Sequence, residues 1–599
     1  MTNNKDKIDK IFLYLKNFLK DNKNKELESE CHQLIKSGIK QPFVYNFLGL
    51  SLSRQEKYHQ SIEPYLKACE VYKNNSNILS NISFSYLKIN DYVNASIYSE
   101  RSLQADLLNL VAHKVYIEIS KGFDLYKKRL FYIEKILKKE VTENKILFDL
   151  AAILFKKKHF LESLKLLRKI KNNIFKKKIK LESSNILAIY HLVAKILITN
   201  NKVSSIYYLN KCNKRNPDNI IYQKEIAEYH RLAGNFLESK KIYDLILKKN
   251  NEEFDVYYKI ASITDFSEDA DLSNRFLIKL KKILRSNNLK NFDKILIKFS
   301  LGKFYEDIKD YKNAIKYYSK ANQLNDSNHT NTDNDKTIFN NIKDLYKKTS
   351  ETNLNRTVLP IFIIGLPRSG STILENIISK NQNVKALGET NQFGNFLENY
   401  FTTKDLEKFK QEFNSLDDKD ILEFQNNFIN SFGIKGKYKY FTDKTLFNFI
   451  YVGLVKTLLP HSKIIFTSRD YKDIFVSIYK NYFPDSRLTF AYSEKKILDY
   501  ISFYNAVKNY WQNFLKTDYL EINYENLVSN KPSELIKIEK FLDMKLNQVE
   551  ITNQNEKKKL INTLSVSQAR KDIYKSSINN WSNFDNSFYN IYEALDQLN

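Results

Sequence analysis

Along the first half of this chain an aromatic residue is repeatedly followed, three positions later, by a small one. Tyr58 pairs in this way with Ser61, Tyr92 with Ala95, Phe160 with Ser163, Phe236 with Ser239 and Tyr311 with Ala314, with a weaker pair at Val203 and Ile206. Tyr58 and Tyr92 lie 34 residues apart, as do Ala68 and Ser102. From about Lys40 to Asn325 the apolar residues keep a helical period, interrupted by short polar turns. A recurring helical unit of this length predicts an array of helices. At 599 residues the chain is in any case too long for one core. A hydrophobic content of 42% is enough to fold several domains.

The period and the pairing resemble tetratricopeptide repeats, in which the small residue lets one helix of a pair approach the next while the aromatic fills the gap between them. The resemblance is good over residues 42–109 and 296–325 and weaker between them, where the spacings drift. It implies a concave surface presented to a peptide or protein partner and says nothing about chemistry. An irregular helical array without a groove is the other reading. The array ends at the polar stretch "DSNHTNTDNDK", and a connecting helix, "TIFNNIKDLYKKT", follows. The expected organisation is a helical repeat region over 1–325, a linker with its helix over 326–350, and a second domain over 351–599.

That second domain opens on "PIFIIGLPRSGSTILENII", an apolar run, a turn built on Gly365, Pro367 and Gly370, and an apolar-periodic helix. A strand that breaks into a glycine loop and restarts as a helix aims backbone N–H groups and the positive end of the helix at one point, which suits an anion. The nucleotide-binding loop pattern needs a lysine before the Ser/Thr, but Gly370 is followed directly by Ser371 and Thr372. That lysine reaches the β/γ-phosphates of a nucleoside triphosphate, so its absence argues for a donor that seats a smaller anionic group. Four β-rich runs, "PIFIIG", "YKYFTD", "KIIFTS" and "YLEINY", alternate with helices and predict a parallel sheet with its ligand at the carboxyl ends of the strands. Those ends lead to Arg368 and Ser369, to Asp443 and Lys444, to Arg469, and to Tyr524. Arginine is scarce beside lysine here, so a strand-end arginine points to a bidentate grip on phosphate or sulfate. Arg469 with Ser477, about two helical turns on, would hold one phosphate; an ion pair of Arg469 with Asp470 or Asp473 is the alternative.

The formal charge of +27 raises nucleic-acid or membrane-surface binding, but the lysines are spread through the sequence and no recognition-module pattern accompanies them. Neither partner is expected. Cys31, Cys69 and Cys212 are too widely separated for a disulfide framework or a metal site and suit a reducing compartment. The N-terminal stretch lacks a continuous apolar core, and no later run approaches a spanning length. A cytoplasmic protein is the expectation.

"GLPRSGST" after a strand, with "SRDYKDIFVSIY" about a hundred residues on, resembles the sulfotransferases that use 3′-phosphoadenosine 5′-phosphosulfate. The details look most like the tyrosylprotein sulfotransferases and the bacterial proteins that join tetratricopeptide repeats to a similar domain. The resemblance covers the C-terminal region. It implies a repeat solenoid followed by an α/β domain built like a P-loop protein around a parallel sheet, and it explains the missing lysine, since this donor has no γ-phosphate. By the same resemblance Arg368, Ser369, Gly370, Ser371 and Thr372 hold the 5′-phosphosulfate, and Arg469 and Ser477 hold the 3′-phosphate. Lys444 lies against the bridging oxygen, Tyr524 contacts adenine, and Ser565 sits near the transferring sulfate. Tyr524 reads equally as a core aromatic. The basic residue often found before the tryptophan is Asn580 here, so Lys575 or Arg570 takes its place in binding the donor.

A hydroxyl acceptor must lose a proton as it attacks, so a base is needed. The one histidine after residue 350, His461, precedes a strand and belongs to the opposite end of the sheet. The tyrosylprotein branch uses a glutamate shortly after the first helix, a place that Glu389 fills. Glu389, Lys444, Arg368 and Ser565 are therefore the expected catalytic set, with no metal. The resemblance implies transfer to a hydroxyl, protein tyrosine first, with the repeats holding the acceptor or a partner; glycans, lipids and small phenols stay open. The rival readings are a kinase or NTPase with a variant loop, and a non-catalytic scaffold.

Overall fold

The computed structural model describes residues 2–119, 123–139, 141, 143–157, 159–177, 183–199, 202–286, 289–326, 334–346, 358–400, 406–432, 434, 438–484, 486–546, 560 and 578–598. They divide into two compact units, Met1–Ile189 with Asn395–Phe409, and Tyr190–Gly394 with Lys410–Asn599.

In the first unit, helices pair in sequence: Pro42–Arg54 with Tyr58–Val71, Ser76–Lys88 with Tyr92–Ala105, and Asn144–Lys156 with Phe160–Lys177. The repeated aromatic is the first residue of the second helix in each pair, and its small partner, Ser61, Ala95 or Ser163, has no exposed surface. The reason is close backbone approach. Ser163 donates its hydroxyl to the Ala151 carbonyl of the preceding helix at 2.7 Å, a reach open only to a short side chain. At Gly49 the same logic runs the other way, because a Cβ there would lie 2.6 Å from the Tyr65 ring.

The second unit contains further pairs: Ile220–Leu232 with Phe236–Lys249, Phe254–Ile263 with Ala270–Leu284, and Asn291–Asp307 with Tyr311–Asp326. Ser239 bonds the Ala227 carbonyl at 2.8 Å, as Ser163 does its own partner, and Gly302 seats the Tyr318 ring. The weak Val203/Ile206 pair falls at a later helix start, Ser205.

This unit also holds a five-stranded sheet: β1 (Leu359–Gly365), β2 (Val384–Ala386), β3 (Tyr440–Asp443), β4 (Lys463–Ser468) and β5 (Leu520–Asn523). Their order is β2-β3-β1-β4-β5, every neighbouring pair parallel. Four of the strands are those expected from the sequence. The fifth, β2, has three residues with Lys385 at its centre, too short for alternation to register. Ile361, Ile363, Ile465 and Ile522 build one face of the core with Leu374, Ile378, Ile538 and Leu542 from the helices covering it. Burial on both faces explains why β1 reads as a continuous apolar run rather than an alternating one. From central β1 the chain turns to the β3 side, and from β4 to the β5 side. The connections diverge between β1 and β4, which opens a crevice outside their carboxyl ends.

Candidate active site

The crevice is lined first by the loop after β1. Arg368 takes a left-handed backbone with φ +73°, and Gly370 follows with φ +91° as the residue preceding the helix Ser371–Ile378. Positive φ at a non-glycine residue is uncommon. Here it folds the loop back so that Gly370, Ser371 and Thr372 open a helix whose first amides have no acceptor within it. Neighbours shape the loop closely. A Cβ on Gly365 would collide with the Thr467 hydroxyl and lie 2.8 Å from the Thr467 carbonyl, and one on Gly370 would lie 2.5 Å from the Tyr524 ring. Ser369 is buried, its hydroxyl 2.6 Å from that of Thr467 on β4.

The second arginine enters from the end of β4. Arg469 donates to the Arg368 carbonyl at 3.1 Å, although 101 residues separate them. Its guanidinium lies 4.6 Å from the centroid of the Tyr524 ring. The Arg368 side chain in turn donates to the Ser477 hydroxyl at 2.7 Å. Arg368, Ser369, Gly370, Arg469, Ser477 and Tyr524 are thus one contiguous cluster. The alternative proposed for Arg469 is also present, since Asp473 lies 3.4 Å from its guanidinium. Asp473 is buried and additionally accepts the backbone amides of Asn579 and Trp581 at 2.9 and 3.0 Å, which ties the C-terminal segment to this helix. Sequence reading treated Asp473 only as a possible ion-pair partner; its second role depends on a segment more than a hundred residues away.

Lys444 and Glu389 form the other part of the site. The Lys444 ammonium, 1% exposed, is 2.6 Å from Glu389, whose side chain is 44% exposed, so a buried cation is presented outward through a carboxylate that solvent reaches. Burial alone would pull the Lys444 ammonium down, but the charges of Glu389 and Glu375 and the hydrogen bond to Glu389 outweigh it and hold the group above the usual lysine range. Glu375, on the helix that follows the loop, accepts the Gly388 amide at 2.9 Å and the Thr442 hydroxyl at 2.6 Å. One carboxylate therefore ties the helix after the glycine loop to the Glu389 turn and to β3. Asp443 is fully buried, and burial together with Glu375 pushes its carboxyl up against hydrogen bonds from Thr445 and Thr390. Glu375 was not among the expected site residues, and Asp443 was read only as a strand-end residue beside Lys444. Ser565, Arg570 and Lys575 lie outside the described residues.

His461 sits just before β4, at the amino ends of the strands, in a cavity with Lys456, Pro460 and Asp518. Among the described residues no group of three or more His, Cys, Asp or Glu could hold a metal ion, and no helix is long and apolar enough to cross a membrane.

Residues 360–548 match the model of the sulfotransferase family, so this C-terminal segment, which follows the array of paired helices in the chain, is similar to that family's domain. An uncharacterized protein of Aquifex aeolicus (strain VF5) is 24% identical over 425 residues, which cover 68% of this chain and 54% of that protein; the chain spans about half the length of its curated relative. Among solved structures, the C-terminal part of a TPR repeat-containing protein from Cytophaga hutchinsonii is 15% identical. It covers 41% of this chain and 97% of that one, with a TM-score of 0.31. Yeast Tom70 is 14% identical, covering 53% and 77%, with a TM-score of 0.26. Superposition at that level adds nothing to the helical pairing described above.

Proposed function

We propose that this protein is a sulfotransferase that moves a sulfuryl group from 3′-phosphoadenosine 5′-phosphosulfate to a hydroxyl, with protein tyrosine the leading acceptor and the repeats binding the acceptor or a partner. The observation that carries the reading is the convergence of the two arginine segments, Arg469 on the Arg368 carbonyl and Arg368 on Ser477, around the Tyr524 ring. Two cationic grips joined in this way fit the two anionic ends of one bisphosphorylated nucleoside. The loop fits the group as well: its left-handed turn and leading helix amides favour an anion, and Gly370 is followed directly by Ser371 with no lysine between them.

When bound, the donor supplies a sulfuryl group activated by a phosphate leaving group. The protein's part is positioning and charge. Arg368 and the amides at the start of the Ser371–Ile378 helix hold the anionic centre, and Arg469 with Ser477 holds the distant phosphate. Glu389, the exposed member of its pair, takes the proton of the acceptor hydroxyl as the new O–S bond forms. Lys444, buried and held in its charged form by Glu389 and Glu375, meets the negative charge that develops on the leaving oxygen. A cytoplasmic setting suits Cys31, Cys69 and Cys212, all buried and none in a disulfide.

The test is calorimetric binding of adenosine 3′,5′-bisphosphate, followed by transfer of labelled sulfate to tyrosine peptides, glycans and phenols. Binding and transfer are expected, with Arg469→Glu abolishing both. Binding without turnover on any acceptor would leave the scaffold reading, and magnesium-dependent competition by ATP would favour the kinase.

A further inference from the structure

Ser477 is carried by the nine-residue helix Tyr471–Tyr479, and a hydroxyl holds a phosphate only if the helix under it is fixed. Its amino end is fixed from its own cap and from the C-terminal segment. Asp470 caps the amides of Lys472 and Asp473, and Asp473 takes those of Asn579 and Trp581. The carboxyl end is held differently. The last carbonyls of a helix have no partner inside it, and that of Tyr479 accepts the side-chain amide of Asn322 at 2.8 Å in a buried bond. The Tyr479 hydroxyl lies 3.1 Å from Ser319. Lys480, the next residue, pairs at 2.5 Å with Glu306, which also accepts the Tyr318 hydroxyl at 2.8 Å. Asn322, Ser319 and Glu306 all belong to the last repeat pair, Asn291–Asp307 with Tyr311–Asp326.

Two residues further on, Tyr482 packs against repeat aromatics Tyr258, Phe292 and Phe299, with centroids 6.0 to 6.2 Å away. The helices that carry those rings are first helices of their pairs, Phe254–Ile263 and Asn291–Asp307. Part of the repeat surface is therefore occupied by a tyrosine of the same chain.

We propose that the last repeat pair is a positioning element of the donor site, holding through Glu306, Ser319 and Asn322 the end of the helix that presents Ser477 to Arg368. The inference rests on the reading of Arg368, Ser477 and Arg469 as a donor clamp, and it assigns to a repeat a task inside the catalytic machinery rather than in partner binding. Removing the Asn322 amide leaves a buried helix-end carbonyl without its donor and frees the backbone two residues from Ser477.

The experiment is a double-variant cycle read by binding of adenosine 3′,5′-bisphosphate and by steady-state transfer in the full chain. Asn322→Ala is expected to weaken the nucleotide about fivefold and to raise the donor KM by the same factor, with acceptor KM unchanged. In a Ser477→Ala background the same substitution is expected to cost almost nothing, because the hydroxyl it positions is gone. If Asn322→Ala does not fold, the Glu306→Gln/Lys480→Met double variant, which removes both charges of the pair together, replaces it in the cycle. Unchanged nucleotide affinity, or an equal loss with and without Ser477, would overturn the positioning role alone. Failure of the unaltered protein to bind the nucleotide would overturn the clamp and this inference with it.

Discussion

At the amino ends of the strands, Lys456, His461 and Asp518 border a cavity of about 410 Å³; at the carboxyl ends, Ser468, Arg469 and Asn523 border one of about 380 Å³. The two are alike in volume and both are lined by cationic side chains. What separates them is the direction of the chain. Beside its cavity, the carboxyl end of the sheet receives the glycine loop, the start of a helix and residues from several strand ends, while the amino end receives helix ends and an ion pair between Asp518 and the largely buried Lys456. A ligand site in a parallel sheet is thus recognised by backbone polarity and convergence, and cavity size decides little.

The comparison can be broken most forcefully at Gly370. With φ at +91° and the Tyr524 ring 2.5 Å from where a Cβ would be, Gly370→Val is expected to abolish nucleotide binding and to lower transfer by more than about 100-fold. Calorimetry on a variant with native circular dichroism checks this. Lys444→Met comes next, with kcat falling by about 100-fold and nucleotide affinity changing much less, a split that steady-state kinetics resolves. Ser477→Ala removes one hydroxyl and should weaken the nucleotide about fivefold in the same titration.

A pH series sharpens the contrast further. The folded-state pKa of Lys444 lies above its unfolded value, so its contribution to stability is fully present below about pH 10.5 and disappears as pH rises through the raised folded value. Thermal melts of the native protein and of Lys444→Met should keep a constant separation from pH 6 to 10 and converge only above that range. At the other end of the sheet, His461→Ala should leave transfer within about twofold. A large loss there would undo the distinction between the two ends.

The helical half was legible because its code is local. An aromatic at a helix start and a small residue one turn later are fixed by contact with the adjacent helix, as the Ser163 and Ser239 bonds to neighbouring carbonyls show. The strand, glycine loop and helix after Pro360 were legible for the same reason, since positive φ and a helix start leave short-range marks. β2 left none in three residues. Asp473 and Glu375 left none either, because each gains its role from partners distant in sequence: amides at 579 and 581 for the first, Gly388 and Thr442 for the second.

Sequence alone determined the paired helices, the lysine-free glycine loop and the residue types at the strand ends, all of which leave short-range marks. Only the tertiary structure decided that Arg368 meets Ser477 and Arg469, that Lys444 lies buried behind Glu389, and that Asn322 of a repeat caps the Ser477 helix. Those contacts follow from strand order and from the packing of elements about 50 to 160 residues apart, where the period of a local pattern carries no information.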